Sequence, residues 1–282
     1  MKKKILALTM AVAMVSSLVA CGSSSETSEK TEATNEAAEE TSTETVQETD
    51  NVATQESAEN KGTLVMATNA EFPPYEYHDG SDDQIVGIDA EIAAAIAEKL
   101  GYTLEIEDIA FDSVIPEVTS GKADFGMAGM TVTEERKKSV NFSDSYATAV
   151  QVVIVTEDSD IASIDDLSGK IIGVQSGTTG DLYATDDFGD ENVERYNKGM
   201  EAVQALSQGK VDAVIIDNEP AKVFVQETAG LKILESAYAE EEYAIAINLD
   251  NTEFLNDVNA ALAELKADGT IDNIVSKYIT TN

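Results

Sequence analysis

Between residues 61 and 282 the apolar positions fall into blocks whose period switches repeatedly. Residues 64–67, Leu-Val-Met-Ala, form a short unbroken apolar run of the kind a strand buried on both faces requires. From 88 to 100 the apolar residues recur at helical spacing and stop at Gly101, which predicts a helix with a glycine terminator. Residues 104–107, Leu-Glu-Ile-Glu, alternate with period two; 113–119 predict a short helix and 123–130 a second buried strand. A strand-like run at 149–155 opens a second series. It predicts a strand at 170–174, a helix from Thr178, a short strand at 192–196, a helix at 200–207 and a strand at 211–216. Helices near 252–266 and 270–278 close the chain. Strands alternating with helices of this length predict an α/β fold, long enough for one large or two small cores.

One joint occurs twice. Ser120-Gly-Lys-Ala-Asp124 and Gln208-Gly-Lys-Val-Asp212 share the order helix end, Gly, Lys, small apolar residue, Asp, buried strand. The glycine suits a left-handed helix cap, and the repetition predicts two lobes of similar construction.

The first sixty residues read differently. Lys2, Lys3 and Lys4 precede an apolar segment, 5–19, that is short for a membrane span, and Leu18-Val-Ala-Cys21 has the form of a lipobox. Residues 1–20 are thus expected to be a signal peptide, with lipid attached at Cys21. Residues 21–60 are rich in Ser, Thr, Glu and Ala with almost no large apolar side chain, Val46 and Val52 being the exceptions, and Lys30 is their one cation before Lys61. Such a segment buries too little apolar surface to offset chain entropy and is expected to be a disordered tether. Cys21 is the only cysteine, which excludes a disulfide framework and a thiolate metal cluster. The formal net charge of −36 argues against nucleic acid or an anionic membrane surface as a target. It does not make the ligand cationic, because most of those charges are solvated.

The candidate chemistry centres on residues 129–146, Gly-Met-Thr-Val-Thr-Glu-Glu-Arg onward, which hold Arg136, one of two arginines in the chain. Glu134-Glu135-Arg136 reads as the first turn of a helix capped by Thr133. Hydroxyls, free N–H groups and a planar guanidinium within eight residues suit a small carboxylate. Hydrolytic chemistry has little to stand on. His78 is the only histidine, Gly173-Val-Gln-Ser176-Gly lacks nucleophile-elbow spacing, and no Gly-Lys pair continues into a phosphate loop. Asp186, Asp187, Asp190 and Glu191 read as a solvated acidic loop, and neither a metal nor a cofactor is expected.

Seven segments recur in a familiar order: Phe72-Pro-Pro-Tyr-Glu-Tyr77, Gly87-Ile-Asp-Ala-Glu-Ile92, Phe111-Asp-Ser-Val-Ile-Pro116, Ser120-Gly-Lys-Ala-Asp124, the 129–146 block, Gly173-Val-Gln-Ser-Gly-Thr-Thr179 and Asp212-Ala-Val-Ile-Ile-Asp217. Over residues 62–278 the chain resembles the extracytoplasmic solute-binding proteins of ABC transporters, in the branch that binds polar amino acids. The resemblance implies a two-lobed, type II periplasmic-binding-protein-like fold. Lobe 1 would comprise 61–147 and 244–282, lobe 2 would comprise 148–243, and a two-crossing hinge would lie near 146–151 and 241–245. It implies that Arg136 clamps an α-carboxylate beside the Thr131 hydroxyl and the Gly129 and Thr131 N–H groups. Thr179 would contact the same group from lobe 2, Asp217 would take the α-ammonium, and Phe72 would stack on the ligand. Asn69, Glu71 and Gln175 are the candidate side-chain selectors. Many relatives carry an acid where this chain has Asn69, which weakens the case for a cationic ligand unless Glu71 restores it. The implied partners are an amino acid, a membrane permease and, through the lipid, the membrane, with the chain acting as a monomer on the extracytoplasmic face. Two further readings share these residues: a dehydratase of the same fold, with Glu71 as its acid or base, and a lipoprotein presenting ligand to a sensor.

Overall fold

A computed structural model describes residues 60–80 and 84–279. The signal segment, Cys21 and the tether therefore lie outside the described residues. Two sheets dominate. The first runs in the order Thr103–Asp108, Thr63–Thr68, Phe125–Gly126, Ala246–Asn248, Val140–Phe142. The second runs Val193–Tyr196, Ile172–Gln175, Ala213–Asp217, Ala147–Thr156, Leu231–Ile233. In each, the first three strands are parallel in the order second, first, third, and the fourth is antiparallel to the third. Helices such as Ile88–Leu100 and Gly199–Ser207 provide the crossovers that parallel pairing requires. This is a mixed α/β, two-lobed type II fold.

The repeated joint has the same bonding in both sheets. Gly121 and Gly209 adopt φ of 75° and 67°. Asp124 accepts the Val65 N–H at 2.7 Å and returns its own N–H to the Val65 carbonyl at 2.9 Å. Asp212 does the same with Ile171, at 2.8 and 2.7 Å. Each aspartate thus ties the entry of a third strand to that of the central one, which sets the register that brings the strand ends level.

Residues 147–151 pair antiparallel with the strand Ala239–Tyr243, from Ala147 opposite Tyr243 to Gln151 opposite Ala239. These are the two connections between the sheets, and they form a hydrogen-bonded ribbon.

Sequence and structure differ in two places that shape the site. The strand expected at 123–130 is only Phe125–Gly126, because at Gly129 the chain turns through a φ of 53°. The helix expected after Thr133 is a single 3₁₀ turn, Arg136–Lys138, although Thr133 Oγ1 does accept the Arg136 N–H at 3.1 Å. Among the described residues no helix is long and apolar enough to cross a membrane.

Candidate functional site

In α/β sheets ligands gather beyond the carboxyl ends of the strands, where the strand order reverses. Four strand ends meet there: Asn69 after Thr63–Thr68, residues 127–131 after Phe125–Gly126, Gln175 and Asp217. From these ends Asn69, Ala128, Gly129, Thr131, Gln175 and Asp217 line a narrow cavity, together with Phe72, Glu76, Phe111, Arg136, Thr178 and Thr179.

Arg136 is 9 % exposed. Its Nη1 donates to the Thr131 carbonyl at 2.7 Å and its Nη2 crosses to the Gly177 carbonyl at 3.2 Å. The guanidinium carbon stands 5.4 Å from the centroid of the Phe111 ring, within range of a cation–π contact. Burial pushes the guanidinium down from its ordinary value, while Glu241 and Asp217 oppose the shift. The other arginine, Arg195, is held by Asp181 and Asp190 at 2.8 Å each and supports the loop from outside the cavity. Arg136 is therefore the only arginine the cavity has.

Opposite lies an acidic group. Asp217 receives the Tyr243 hydroxyl and, at 2.7 Å, the Gln151 amide. Burial pushes its carboxyl up to about 7, and Glu241 pushes the same way. Gln151, on the ribbon, also donates to Glu241 at 3.1 Å and approaches Thr179 Oγ1 at 3.4 Å. Thr131 Oγ1 donates to the same Glu241 carboxylate at 3.0 Å. Although Asp217 precedes the helix Asn218–Glu227, its side chain makes no capping bond, so it faces the cavity instead.

A second acidic pair lies under the Phe72 loop. Glu76 and Asp89 are both fully buried. Asp89 Oδ2 accepts the Gly129 N–H at 2.8 Å and the Tyr146 hydroxyl at 2.7 Å. Burial pushes Asp89 up to about 6 and, with the Asp89 charge adding to it, Glu76 well above the usual carboxylate range. Glycine is needed twice to build this corner. A Cβ at Gly87 would meet the Tyr75 carbonyl at 2.2 Å, and one at Gly129 would meet the Phe72 ring at 2.9 Å.

Eight of the nine ligand-binding candidates read from the sequence line the cavity: Asn69, Phe72, Gly129, Thr131, Arg136, Gln175, Thr179 and Asp217. Glu71 does not, because its carboxylate is paired with Lys198 across the cleft. The Gly129 N–H, expected to face a ligand carboxylate, is used by Asp89. Asn69 Oδ1 accepts from Gln175 Nε2 at 2.8 Å, so the two selectors meet each other. Tyr75 packs between Phe72 and Tyr243, with ring centroids 6.0 and 5.1 Å away. Sequence reasoning passed over Glu76, Asp89, Gln151 and Glu241. Glu76 carried a signal, an acid between two aromatics in a motif already singled out.

Residues 64–281 match the profile of a family described as bacterial extracellular solute-binding proteins, family 3. The chain is 34 % identical over 284 residues to the arginine-binding extracellular protein ArtP of Bacillus subtilis (strain 168), covering 99 % of this chain and 98 % of that one. Among solved structures it is similar to an ancestral arginine-binding protein bound to arginine, with a TM-score of 0.74 and 42 % identity over 78 % of this chain and 100 % of that one. It is equally similar to an ancestral arginine-binding protein bound to glutamine, with a TM-score of 0.74 and 42 % identity over 78 % and 98 % of the two chains.

Proposed function

Since the chain belongs to the bacterial extracellular solute-binding proteins of family 3, we propose that its cleft captures a polar L-amino acid, preferentially one with a cationic side chain, for delivery to an ABC permease. The observation that carries this reading is the charge layout of the cavity: one guanidinium, Arg136, and two separate buried carboxyls, Asp217 and Glu76. An α-amino acid with a cationic side chain has the complementary set. Its α-carboxylate meets Arg136, its α-ammonium meets Asp217 beside Thr179, and its side-chain cation reaches Glu76 with Asn69 and Gln175 alongside. Phe72 and Phe111 flank the aliphatic part. Asn69 in place of an acid weakened the case for a cationic ligand in the sequence unless Glu71 restored it; Glu71 is paired with Lys198, and the acid that answers the objection is Glu76. The names of the relatives, arginine-binding in each case above, point the same way.

The lobes are taken as 61–147 with 244–282, and 148–243. Arg136 stands on one and Asp217 on the other, so an open cleft cannot engage both, and ligand stabilises closure by its differential contacts. Burying the ligand's charges is tolerable because each meets a counter-charge and hydrogen bonds. A thermal-shift screen of the common amino acids tests the reading. At a hundred times its dissociation constant the ligand adds roughly 2.7 kcal/mol, and L-arginine is expected to give the largest shift. No shift with any amino acid would overturn it.

The same reading places the protein on the outer face of the cell membrane, held by lipid on Cys21. Cys21→Ala protein is expected to leave the membrane fraction for the soluble one. Unchanged partitioning of that variant would mean that the protein is held by something else.

A further inference from the structure

We infer that Glu76 and Asp89 hold one shared proton in the empty cleft, and that a cationic ligand side chain displaces it, so that loading with a cationic amino acid expels a proton to solvent. This rests on the ligand reading above. The geometry carries it. Among protein donors, neither oxygen of Glu76 nor Oδ1 of Asp89 has a partner, and all three are buried. Two ionised carboxylates buried in one corner with no donor for these oxygens repel each other, and the Asp89 charge adds to burial in holding Glu76 neutral. One proton resolves the conflict.

The proton's place follows from the neighbours. Asp89 Oδ2 accepts two hydrogen bonds, from the Gly129 N–H and the Tyr146 hydroxyl, and both favour its ionised form. Glu76 receives no protein donor, so it is the group that keeps the proton and offers it to Asp89. The charged groups that act most on Glu76 are Asp89, Asp217 and Asp108, all acidic, and Asp108 is itself joined to His78 at 2.9 Å. The titratable hydroxyls around the pair are Tyr75, Tyr146 and Tyr243, each held in its neutral form by burial and neighbouring carboxylates. No cation is among these groups. With both carboxyls ionised, the corner would hold two uncompensated buried charges, which is far costlier than holding one. A guanidinium or ammonium at Glu76 supplies the missing positive charge, and the proton then has no further role. Its departure balances the charge: one cation enters, one proton leaves, and both carboxyls end ionised.

The consequence is a pH-dependent selectivity. A neutral side chain leaves the shared proton in place, whereas a cationic one must compete with it. Affinity for the cation should therefore rise with pH by up to about tenfold per unit while the empty pair holds its proton. Asp217 contributes a background to any proton count, because every amino acid brings an α-ammonium to it, so the informative quantity is the excess due to Glu76.

Calorimetry of the wild-type protein with L-arginine at pH 7, in buffers of different ionisation enthalpy, counts the protons released. About 0.5–1 more proton per arginine is expected from wild type than from Glu76→Gln, with Glu76→Asp retaining part of the excess. Equal counts for wild type and Glu76→Gln would overturn the inference and leave the binding reading intact. Should Glu76→Gln fail to fold, the neutral isostere L-citrulline on wild type takes its place: a count as large as that of arginine overturns the inference, a lower one supports it. If no amino acid binds at all, the ligand reading and this inference fall together.

Discussion

Arg136→Ala is expected to leave the fold intact and to weaken amino-acid binding by roughly thirty-fold to several thousand-fold, the effect of about 2–5 kcal/mol for truncating one partner of a buried charge pair. The fold should survive because the side chain bonds only the Thr131 and Gly177 carbonyls and lies on the cavity wall rather than in either core. Binding should not survive, because an α-carboxylate brought into the closed cleft would face Asp217, Glu241 and Glu76 with no cation beside it. Arg195 cannot substitute, being fixed by Asp181 and Asp190. A decarboxylated amino acid should bind wild type poorly and be nearly indifferent to the substitution. Calorimetry decides it: if Arg136→Ala binds the ligand within about threefold of wild type, under roughly 0.7 kcal/mol, Arg136 does not clamp the carboxylate.

That Arg136 could be singled out from sequence has a physical reason, and so does the omission of its neighbours. Long elements declare themselves by period: the helix at 88–100 and the strand that became Thr63–Thr68 were legible because burial dictates their spacing. The strand ends that carry the site were legible for the same reason, since an apolar run that stops at Gln175 or Asp217 marks where the chain leaves the sheet. Strands of two or three residues, such as Glu71–Phe72 and Ala246–Asn248, are too short to show a period. Ala239–Tyr243 has three consecutive glutamates and no apolar run; it is extended because Ala147–Gln151 pairs with it. Polar residues within strands were the harder case. Gln151 sits inside an apolar run and Glu241 inside an acidic one, and only the pairing turns both inward to meet at 3.1 Å. Choosing Glu76 over Glu71 needed the hairpin register, in which Glu71 pairs opposite Tyr77 and Phe72 opposite Glu76, so that one glutamate reaches Lys198 and the other the cavity.

Asp217→Asn separates binding from stability, because the two effects have opposite signs. The Asp217 carboxyl is pushed up to about 7 in the folded protein by burial and by Glu241. A group whose folded value is raised contributes its full stability below the unfolded value, and that contribution is lost as pH rises through the folded value. The ligand-free protein therefore loses stability between about pH 4 and pH 7 on account of this residue, by on the order of 2–4 kcal/mol. Asparagine never ionises, so Asp217→Asn should be more stable than wild type at pH 8 and show no gain at pH 4. The gain should fall short of the full figure, since the carboxylate's bonds from Gln151 and Tyr243 are weakened with it. Amino-acid affinity should fall at the same time, because the α-ammonium loses its counter-charge while the shape of the site is kept. Melting curves of the ligand-free variant at the two pH values, with calorimetry at the higher, test both halves. A variant less stable than wild type at pH 8 would mean that the carboxylate is stabilised by its donors more than it is destabilised by burial. A variant with wild-type affinity would place the ammonium elsewhere, with Glu241, whose carboxylate lies within reach of the same Gln151 amide, as the group to test next.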